Sequence, residues 1–210
     1  QNEWPNGIGD APNSPPPSKE EWEKWLGPAP YVEYNRNRTF YNFRWFYGYS
    51  GGQLTNFGVH YIDMLRWCLG KDSPKSVMAM GGKFAVKDNR EIPDTLEVVW
   101  DYGGVLVTFS QVNANAGAPN PQRSEMELRG TLGTMYLHGN RWEVVPDAST
   151  EVLFGQRTPL DRGIEKAYGP SKKTRIEPKV VKGSADTAFH ARNFLDCVKS
   201  RQEPVENLEI

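Results

Sequence analysis

The sequence predicts an α+β fold with an open, mainly antiparallel β-sheet of about six or more strands and helices packed on one face. One helical pattern follows Gly52 and a second lies near residue 190. Between them the hydrophobic period changes from helical spacing to two. The connections between the period-two segments are too short for crossover helices, so neighbouring strands should run antiparallel.

Residues 1–42 should form an irregular arm that packs on the rest of the chain, an α+β domain at 43–210. Pro, Asn and Gly are frequent in the arm, and proline removes backbone donors and fixes φ. Only the acidic stretch 18–27 has a helical pattern. The arm also carries aromatic side chains that a flexible linker seldom has, namely Trp4, Trp22, Trp25, Tyr31 and Tyr34.

The helix after Gly52 has the clearest pattern in the chain. Thr55 or Asn56 can cap its first turn, and Gly70 supplies a left-handed residue that ends it. Apolar residues recur between these ends at helical spacing, namely Val59, Ile62, Met64 or Leu65, and Leu69.

Six segments with a period of two predict six strands, at residues 75–86, 94–102, 104–113, 124–130, 133–139 and 141–147. Glycine-containing turns at 102–104 and 139–140 should close two hairpins. Residues 155–184 are charged and interrupted by Gly and Pro, which indicates a long surface loop. An amphipathic helix should follow over 185–202.

Composition excludes several classes of partner. The net charge is -1, the pI is about 6.4, and no basic stripe exists to bind nucleic acid or an anionic membrane. No run of 18 apolar residues and no leader-like N-terminus occurs, so we expect a soluble protein, cytoplasmic or periplasmic. The two cysteines and three histidines show no metal-binding spacing, so we expect no metal site.

The candidate for a dinucleotide loop is the segment at residues 7–12, GIGDAP. It lacks the third glycine of the G-x-G-x-x-G motif and runs into Ser14 and three prolines. A helix therefore cannot begin directly after this segment, and no helix N-terminus would be available to bind a pyrophosphate. We therefore expect no cofactor to be bound by this chain alone.

Asn56 and His60 are the candidate catalytic residues. They lie four residues apart near the positive end of the predicted helix, where a neutral imidazole could act as a general base. The alternative is that Asn56 caps the helix and His60 is a buried hydrogen-bonding residue. Spacing alone favours this second interpretation.

The aromatic stretch at residues 40–50 precedes this helix. Faces of Tyr and Trp rings with an arginine nearby suit a sugar, so Arg44, Trp45 and Tyr47 are candidate substrate-binding residues. A packed aromatic cluster at the root of a loop explains the same composition equally well.

A hydrolase of glycosides would need two carboxylates across a cleft. Asp63, Asp94 and Asp101 are the acidic residues considered for such a pair. Acidic residues at helix and turn positions are usually solvated or capping, so the sequence does not single out a pair.

Four blocks, in this order, resemble the Gfo/Idh/MocA oxidoreductases, most of all the bacterial branch with long Pro- and Trp-rich inserts. They are residues 25–30, 44–70, 125–139 and 190–204. The resemblance covers nearly the whole chain but only the second half of a typical member. It implies a parent with a Rossmann domain that binds NAD or NADP, followed by an α+β domain that builds the substrate wall and packs against other subunits.

The resemblance also implies roles for individual residues. The family's G-G-x-x-x-D-x-G-x-H helix maps onto Gly51, Gly52, Asn56, Gly58 and His60. His60 would face the substrate's reactive hydroxyl and assist its deprotonation while hydride passes to the nicotinamide. The usual Asp is Asn56 here, which can orient a hydroxyl but cannot accept a proton as a carboxylate does. The family's E-K-P lysine belongs to the Rossmann half and has no counterpart in this sequence.

We therefore expect the C-terminal substrate-binding and oligomerisation domain of an NAD(P)-dependent sugar or polyol oxidoreductase, inactive without a Rossmann domain. The partners implied are a small sugar or polyol and further copies of the chain. Association would use an outer sheet face carrying Val105, Val107 and Phe109. Two alternatives stay open, a non-catalytic carbohydrate-binding or assembly protein and a hydrolase that acts on glycosides.

Overall fold

The structure, a computed structural model, describes residues 6–70, 73–117, 120–150, 172–184 and 186–205. The chain divides into two compact units, one containing the described residues up to 117 and the other those from 120 to 205. Each unit combines helix with antiparallel sheet. The predicted α+β class is confirmed, and the strands belong to separate sheets rather than to one.

In the first unit, helix α1 spans Lys19–Leu26, within the predicted acidic stretch. The Ser18 hydroxyl accepts from the Glu21 N–H at 3.2 Å and caps the helix. Gly27, with φ of 54°, ends it. The helix buries Trp22 and Leu26, the apolar residues that face the unit.

The helix after Gly52 begins earlier than its predicted caps. A π-helical turn spans Leu54–Gly58, and α2 continues over Val59–Leu69. Asn56 lies inside this turn and donates its backbone N–H to the Gly52 carbonyl at 3.0 Å, so the prediction of an N-cap at Thr55 or Asn56 was wrong. The left-handed turn at Gly52 starts the segment instead. Gly70 ends α2 as predicted, with φ of 60°.

Three strands form the sheet of the first unit, in the order β1 (Ser76–Gly82), β2 (Thr95–Asp101) and β3 (Leu106–Val112), all antiparallel. The predicted turn between β2 and β3 is confirmed, because Tyr102 N–H donates to the Val105 carbonyl at 3.0 Å.

The outer face of this sheet differs from the prediction. Phe109 lies on the face that meets the helical segment, since a Cβ added at Gly58 would stand 3.2 Å from Phe109 Cε2. Val107, two residues away on the same strand, shares that face. The opposite face carries Met78, Met80 and Leu106, which are 70%, 80% and 72% exposed.

In the second unit, a four-stranded sheet has the order β4-β5-β6-β9, with a separate pair β7-β8. The strands are β4 (Met126–Arg129), β5 (Gly133–His138), β6 (Arg141–Pro146), β7 (Ala148–Thr150), β8 (Lys172–Thr174) and β9 (Lys179–Lys182). All six predicted strands are therefore present. The prediction of a loop over 155–184 was wrong for β8 and β9. Their lysine-rich composition is typical of a solvent-exposed loop, but lysine is also common on edge strands. The portion of this predicted loop from 155 to 171 lies outside the described residues.

Helix α3 spans Thr187–Ser200, within the predicted final helix. The Asp186 carboxylate accepts from the Ala188 N–H at 2.9 Å and caps it. None of its residues is buried, and its apolar side chains Phe189, Phe194, Leu195 and Val198 are exposed. Among the described helices, none has the length and apolar composition that crossing a bilayer requires.

The arm is held against the first unit by hydrogen bonds to its main chain. Ile8 N–H donates to the Asp88 carboxylate at 2.8 Å. The Asn89 amide donates to the Ala11 carbonyl at 3.1 Å and its oxygen accepts from the Asn37 amide at 3.0 Å. Within the arm, the amides of Asn35 and Asn37 donate to carbonyls of residues 8–11 at 2.7 to 3.1 Å. These contacts support a packed arm, while the boundary at residue 42 stays a prediction.

Candidate functional site

A small aromatic core supports the segment that leads into the helical turn. Trp45, Phe46 and Ile92 are buried together, with Ile8 and Tyr49 packed against them. The Trp45 carbonyl accepts from the N–H groups of Glu91 and Ile92, at 3.0 and 3.3 Å. Residues 45–49 are therefore fixed to the loop that precedes β2.

That loop contains a buried ion pair. Asp88 and Arg90 both have fully buried side chains, and Arg90 Nη2 lies 2.8 Å from Asp88 Oδ2. The guanidinium also lies over the Trp45 ring, 4.5 Å from its centroid. Burial by itself raises the pKa of Asp88, but hydrogen bonds from Arg90 and from the Ile8 N–H outweigh it and hold the pKa below its usual range.

Asp94 is also fully buried, and it accepts hydrogen bonds from three consecutive backbone N–H groups, those of residues 84–86. Burial raises its pKa, but these donors and the Thr95 hydroxyl lower it further, so the net pKa lies below the usual range. A general acid needs a raised pKa. Asp94 therefore stabilises a turn, as does Asp101, which accepts from the Gly103 N–H at 2.7 Å.

The Gly51–Gly52 turn is seated on this core. Gly52 has φ of 72°, and its N–H donates to the Arg44 carbonyl at 2.9 Å. A Cβ at Gly52 would stand 2.6 Å from Ile92 Cγ2, so the close approach as well as the positive φ requires glycine. The turn thus fixes the direction in which the π-helical turn begins.

Asn56 and His60 are presented by this turn and the first turn of α2. Asn56 is half-buried and His60 is exposed. Within the part of the chain that the structure describes, neither side chain takes part in a hydrogen bond or ion pair. The alternative of a capping Asn56 and a buried His60 does not hold. A π-helical turn is uncommon and is often found at functional sites.

The three candidate substrate-binding residues occupy different environments. Trp45 is 0% exposed, so packing in the core explains this ring and its faces do not reach solvent. Tyr47 is 63% exposed, and its N–H is held by Glu91 Oε2 at 3.0 Å. Arg44 is half-buried, with its guanidinium 4.2 Å from the Tyr41 ring centroid.

A shallow cleft of about 430 Å³ lies beside this segment. It is lined by Trp25, Leu26, Pro28, Ala29, Phe43, Gly48 and Tyr49. The indole N–H of Trp25 donates to the Arg38 carbonyl at 3.1 Å, which fixes the ring. Sequence reasoning missed this set, because Trp25 comes from the arm and no local pattern links it to Phe43 and Tyr49.

The glycine pair in the arm does not fit a dinucleotide phosphate. In a G-x-G-x-x-G loop the pyrophosphate is held by free backbone N–H groups and the N-terminus of the helix that follows. Here the Ile8 N–H, between Gly7 and Gly9, donates to the Asp88 carboxylate, and no helix follows over residues 10–17. A search for metal sites among the described residues finds no group of three or more His, Cys, Asp or Glu side chains.

Comparison with known proteins gives one family and a set of solved structures. Residues 3–104 match the Gfo/Idh/MocA family described as "Oxidoreductase family, C-terminal alpha/beta domain". No curated protein matches the chain.

Two solved structures are similar at low identity. One is the WlbA dehydrogenase from Bordetella pertussis in complex with NADH and UDP-GlcNAcA, at 16% identity and a TM-score of 0.40 over 77% of this chain and 39% of that one. Another is a protein described as an NADPH-dependent oxidoreductase from Desulfitobacterium hafniense, at 16% identity and a TM-score of 0.45 over 79% of this chain and 44% of that one. The chain thus spans about two fifths of the length of the structures it matches.

Proposed function

We propose that the chain forms the substrate-binding part of an NAD(P)-dependent sugar or polyol oxidoreductase, because residues 3–104 match the C-terminal alpha/beta domain of the Gfo/Idh/MocA oxidoreductase family. NAD or NADP would be held by a Rossmann domain, since the Gly7–Gly9 segment does not fit a nucleotide. The contribution of this chain is to bind the substrate and to orient its reactive hydroxyl.

The observation that carries the proposal is the exposed His60 beside Asn56 on a helix whose start is fixed by the Gly51–Gly52 turn. A neutral imidazole can accept the proton of a substrate hydroxyl, and an amide can orient that hydroxyl by donating or accepting a hydrogen bond. Groups held on a rigid element are suited to this task because little reorganisation is needed on binding.

The aromatic cleft supports a sugar as the ligand. Trp25, Phe43 and Tyr49 line it with partly exposed rings, and the C–H face of a pyranose packs well on such rings. Tyr47 is an exposed ring in the same segment, and Arg44 can donate to sugar hydroxyls. Trp45 is left out of this proposal because it is buried.

Calorimetric titration of the 210-residue chain with a panel of monosaccharides and polyols tests the proposal. We expect measurable binding of at least one sugar, weakened about fivefold to tenfold by His60→Gln or Asn56→Ala through loss of a hydrogen bond. His190→Gln is the matched control, since His190 is exposed on α3, and it should bind as the wild type does.

Two results would contradict the proposal. One is the absence of sugar binding across the panel, or binding that His60→Gln leaves unchanged. The other is tight binding of NAD(H) or NADP(H) to the same chain, because the proposal assigns the nucleotide to a Rossmann domain and not to the arm.

A second candidate, an assembly protein without catalysis, is favoured by the outer face of the β1-β2-β3 sheet. Met78, Met80 and Leu106 are exposed there, and such a face suits a second copy of the chain. Solution mass measured over a hundredfold range of concentration should show a dimer that Met80→Lys dissociates. A monomer throughout would count against association through this face.

A further inference from the structure

Among the hydrogen bonds described for the turn that opens the helical segment, Thr55 is the one polar side chain that contacts three consecutive residues of that turn. Its Oγ1 lies 2.9 Å from the Gly51 N, 3.1 Å from Ser50 Oγ and 3.3 Å from the Gly52 carbonyl oxygen. A threonine hydroxyl has one donor hydrogen and two acceptor lone pairs.

These three contacts use the whole capacity of the hydroxyl. Thr55 accepts from the Gly51 N–H and donates its single hydrogen to the Gly52 carbonyl. The Ser50 hydroxyl must then be the donor in the remaining contact. Replacing the hydroxyl by a methyl group leaves all three turn residues without this partner.

Close packing on both sides makes the turn sensitive to this change. A Cβ at Gly51 would stand 2.7 Å from Thr55 Cγ2, while a Cβ at Gly52 would stand 2.6 Å from Ile92 Cγ2. The turn is thus enclosed between the Thr55 side chain and the core. The Gly52 carbonyl, which accepts from Thr55, also accepts from the backbone N–H of Asn56 at 3.0 Å.

We propose that Thr55 is a positioning residue, whose hydroxyl locks the Ser50–Gly52 turn and thereby sets the orientation of Asn56 and His60. The inference rests on the proposed function in assigning those two side chains to the substrate. The lock itself is a property of the free chain, so it can be tested without turnover.

The test uses nuclear magnetic resonance on the 210-residue chain with labelled histidine rings and backbone amides. The chain has three histidines, so His60→Gln assigns the His60 ring signal. In Thr55→Val we expect exchange of the Gly51 and Asn56 amide hydrogens to become about tenfold faster. The His60 ring signal should shift, while those of His138 and His190 stay in place.

Two variants separate positioning from general stability. Thr55→Ser keeps the hydroxyl and should restore the wild-type ring signal and exchange rates. Thr39→Val is the matched control, because among the described residues the Thr39 hydroxyl donates to the Arg36 carbonyl alone, within the arm, and the change should leave His60 unchanged. If Thr55→Val does not fold, Ser50→Ala, which removes one of the three contacts, should shift the same signals by a smaller amount.

An unchanged His60 ring signal and unchanged exchange at Gly51 and Asn56 in the folded Thr55→Val or Ser50→Ala variant would overturn the inference. A Thr55→Ser variant that behaves like Thr55→Val would overturn it as well. Failure of the proposed function has a different signature, because the wild-type His60 ring would then respond to no sugar while Thr55→Val still shifts it.

Discussion

Helices α2 and α3 both follow an amphipathic pattern, but they have different surroundings. The segment leading into α2 packs against Ile92 and Phe109, and α2 buries Leu65. Helix α3 buries none of its residues within the described part of the chain. Periodicity therefore predicts that a helix forms. Whether the helix also packs against its unit depends on the turn that precedes it and on the residues it contacts.

The largest effect should come from comparing two ion pairs, one in the loop that precedes β2, which supports the segment before α2, and the other on α3. Asp88→Ala leaves the buried Arg90 charge without its partner and should lower the free energy of unfolding by about 3–5 kcal/mol. Urea unfolding followed by tryptophan fluorescence measures this, since six of the seven tryptophans lie within residues 1–118. Asp196→Ala removes the exposed pair with Arg192 on α3 and should produce no measurable change. Equal effects at the two sites would contradict this account.

Two leucines give the next comparison. Leu65 on α2 is 6% exposed, and Leu65→Ala should destabilise its unit by about 2–4 kcal/mol through lost burial and a cavity. Leu195 on α3 is 54% exposed, and Leu195→Ala should change stability by less than about 0.5 kcal/mol. Hydrogen exchange read by mass spectrometry reports on each unit separately. A loss at Leu195 as large as that at Leu65 would show that α3 is packed in solution.

Two glycines at the ends of the helical segment separate backbone strain from steric contact. Gly52 and Gly70 both have positive φ, but a Cβ would meet Ile92 only at Gly52 and open space at Gly70. Gly70→Ala should cost about 1 kcal/mol from the left-handed conformation alone. Gly52→Ala should cost about 2–3 kcal/mol, because overpacking is added. Thermal unfolding of both variants measures the difference. Equal losses of stability would mean that the contact with Ile92 does not contribute.

The smallest expected effect is a dependence on pH that arises from Asp94. Its folded pKa lies below the unfolded value of about 3.9, so its contribution to stability is present above that pH and is lost as pH falls through the folded pKa. Asp94→Asn should be less stable than the wild type by about 1–2 kcal/mol at pH 7. Urea unfolding between pH 7 and pH 3 should show this difference shrinking below about pH 4. Parallel curves for the two proteins would contradict the prediction.

Much of the secondary structure could be predicted because its signals are local. The alternation in β1 to β6, the glycines of the β2–β3 turn and the stop at Gly70 are all visible within a few residues. The lysine-rich β9 was missed because its pairing partner, β6, lies more than thirty residues away and its own composition resembles a loop.

The candidate site could be predicted only in part. Asn56 and His60 stand out by spacing and by family resemblance. Asp88 and Arg90 look like ordinary turn residues, because their burial depends on Ile8 and Trp45, which are distant in sequence. For the same reason the sequence did not predict which side chains of the aromatic stretch at 40–50 are buried. Trp45 is buried, while Tyr47 is exposed.

The asparagine contacts along the arm bear on how freely this segment can vary. Asn35, Asn37 and Asn89 donate to main-chain carbonyls, which every amino acid possesses. These hydrogen bonds therefore place no requirement on the exposed side chain of Asp10, although the backbone carbonyls of its neighbours Gly9 and Ala11 are held in place. A short peptide inserted at Asp10 would be displayed to solvent from a fixed base, so the arm offers a place at which new binding sequences can be introduced while the rest of the fold is retained.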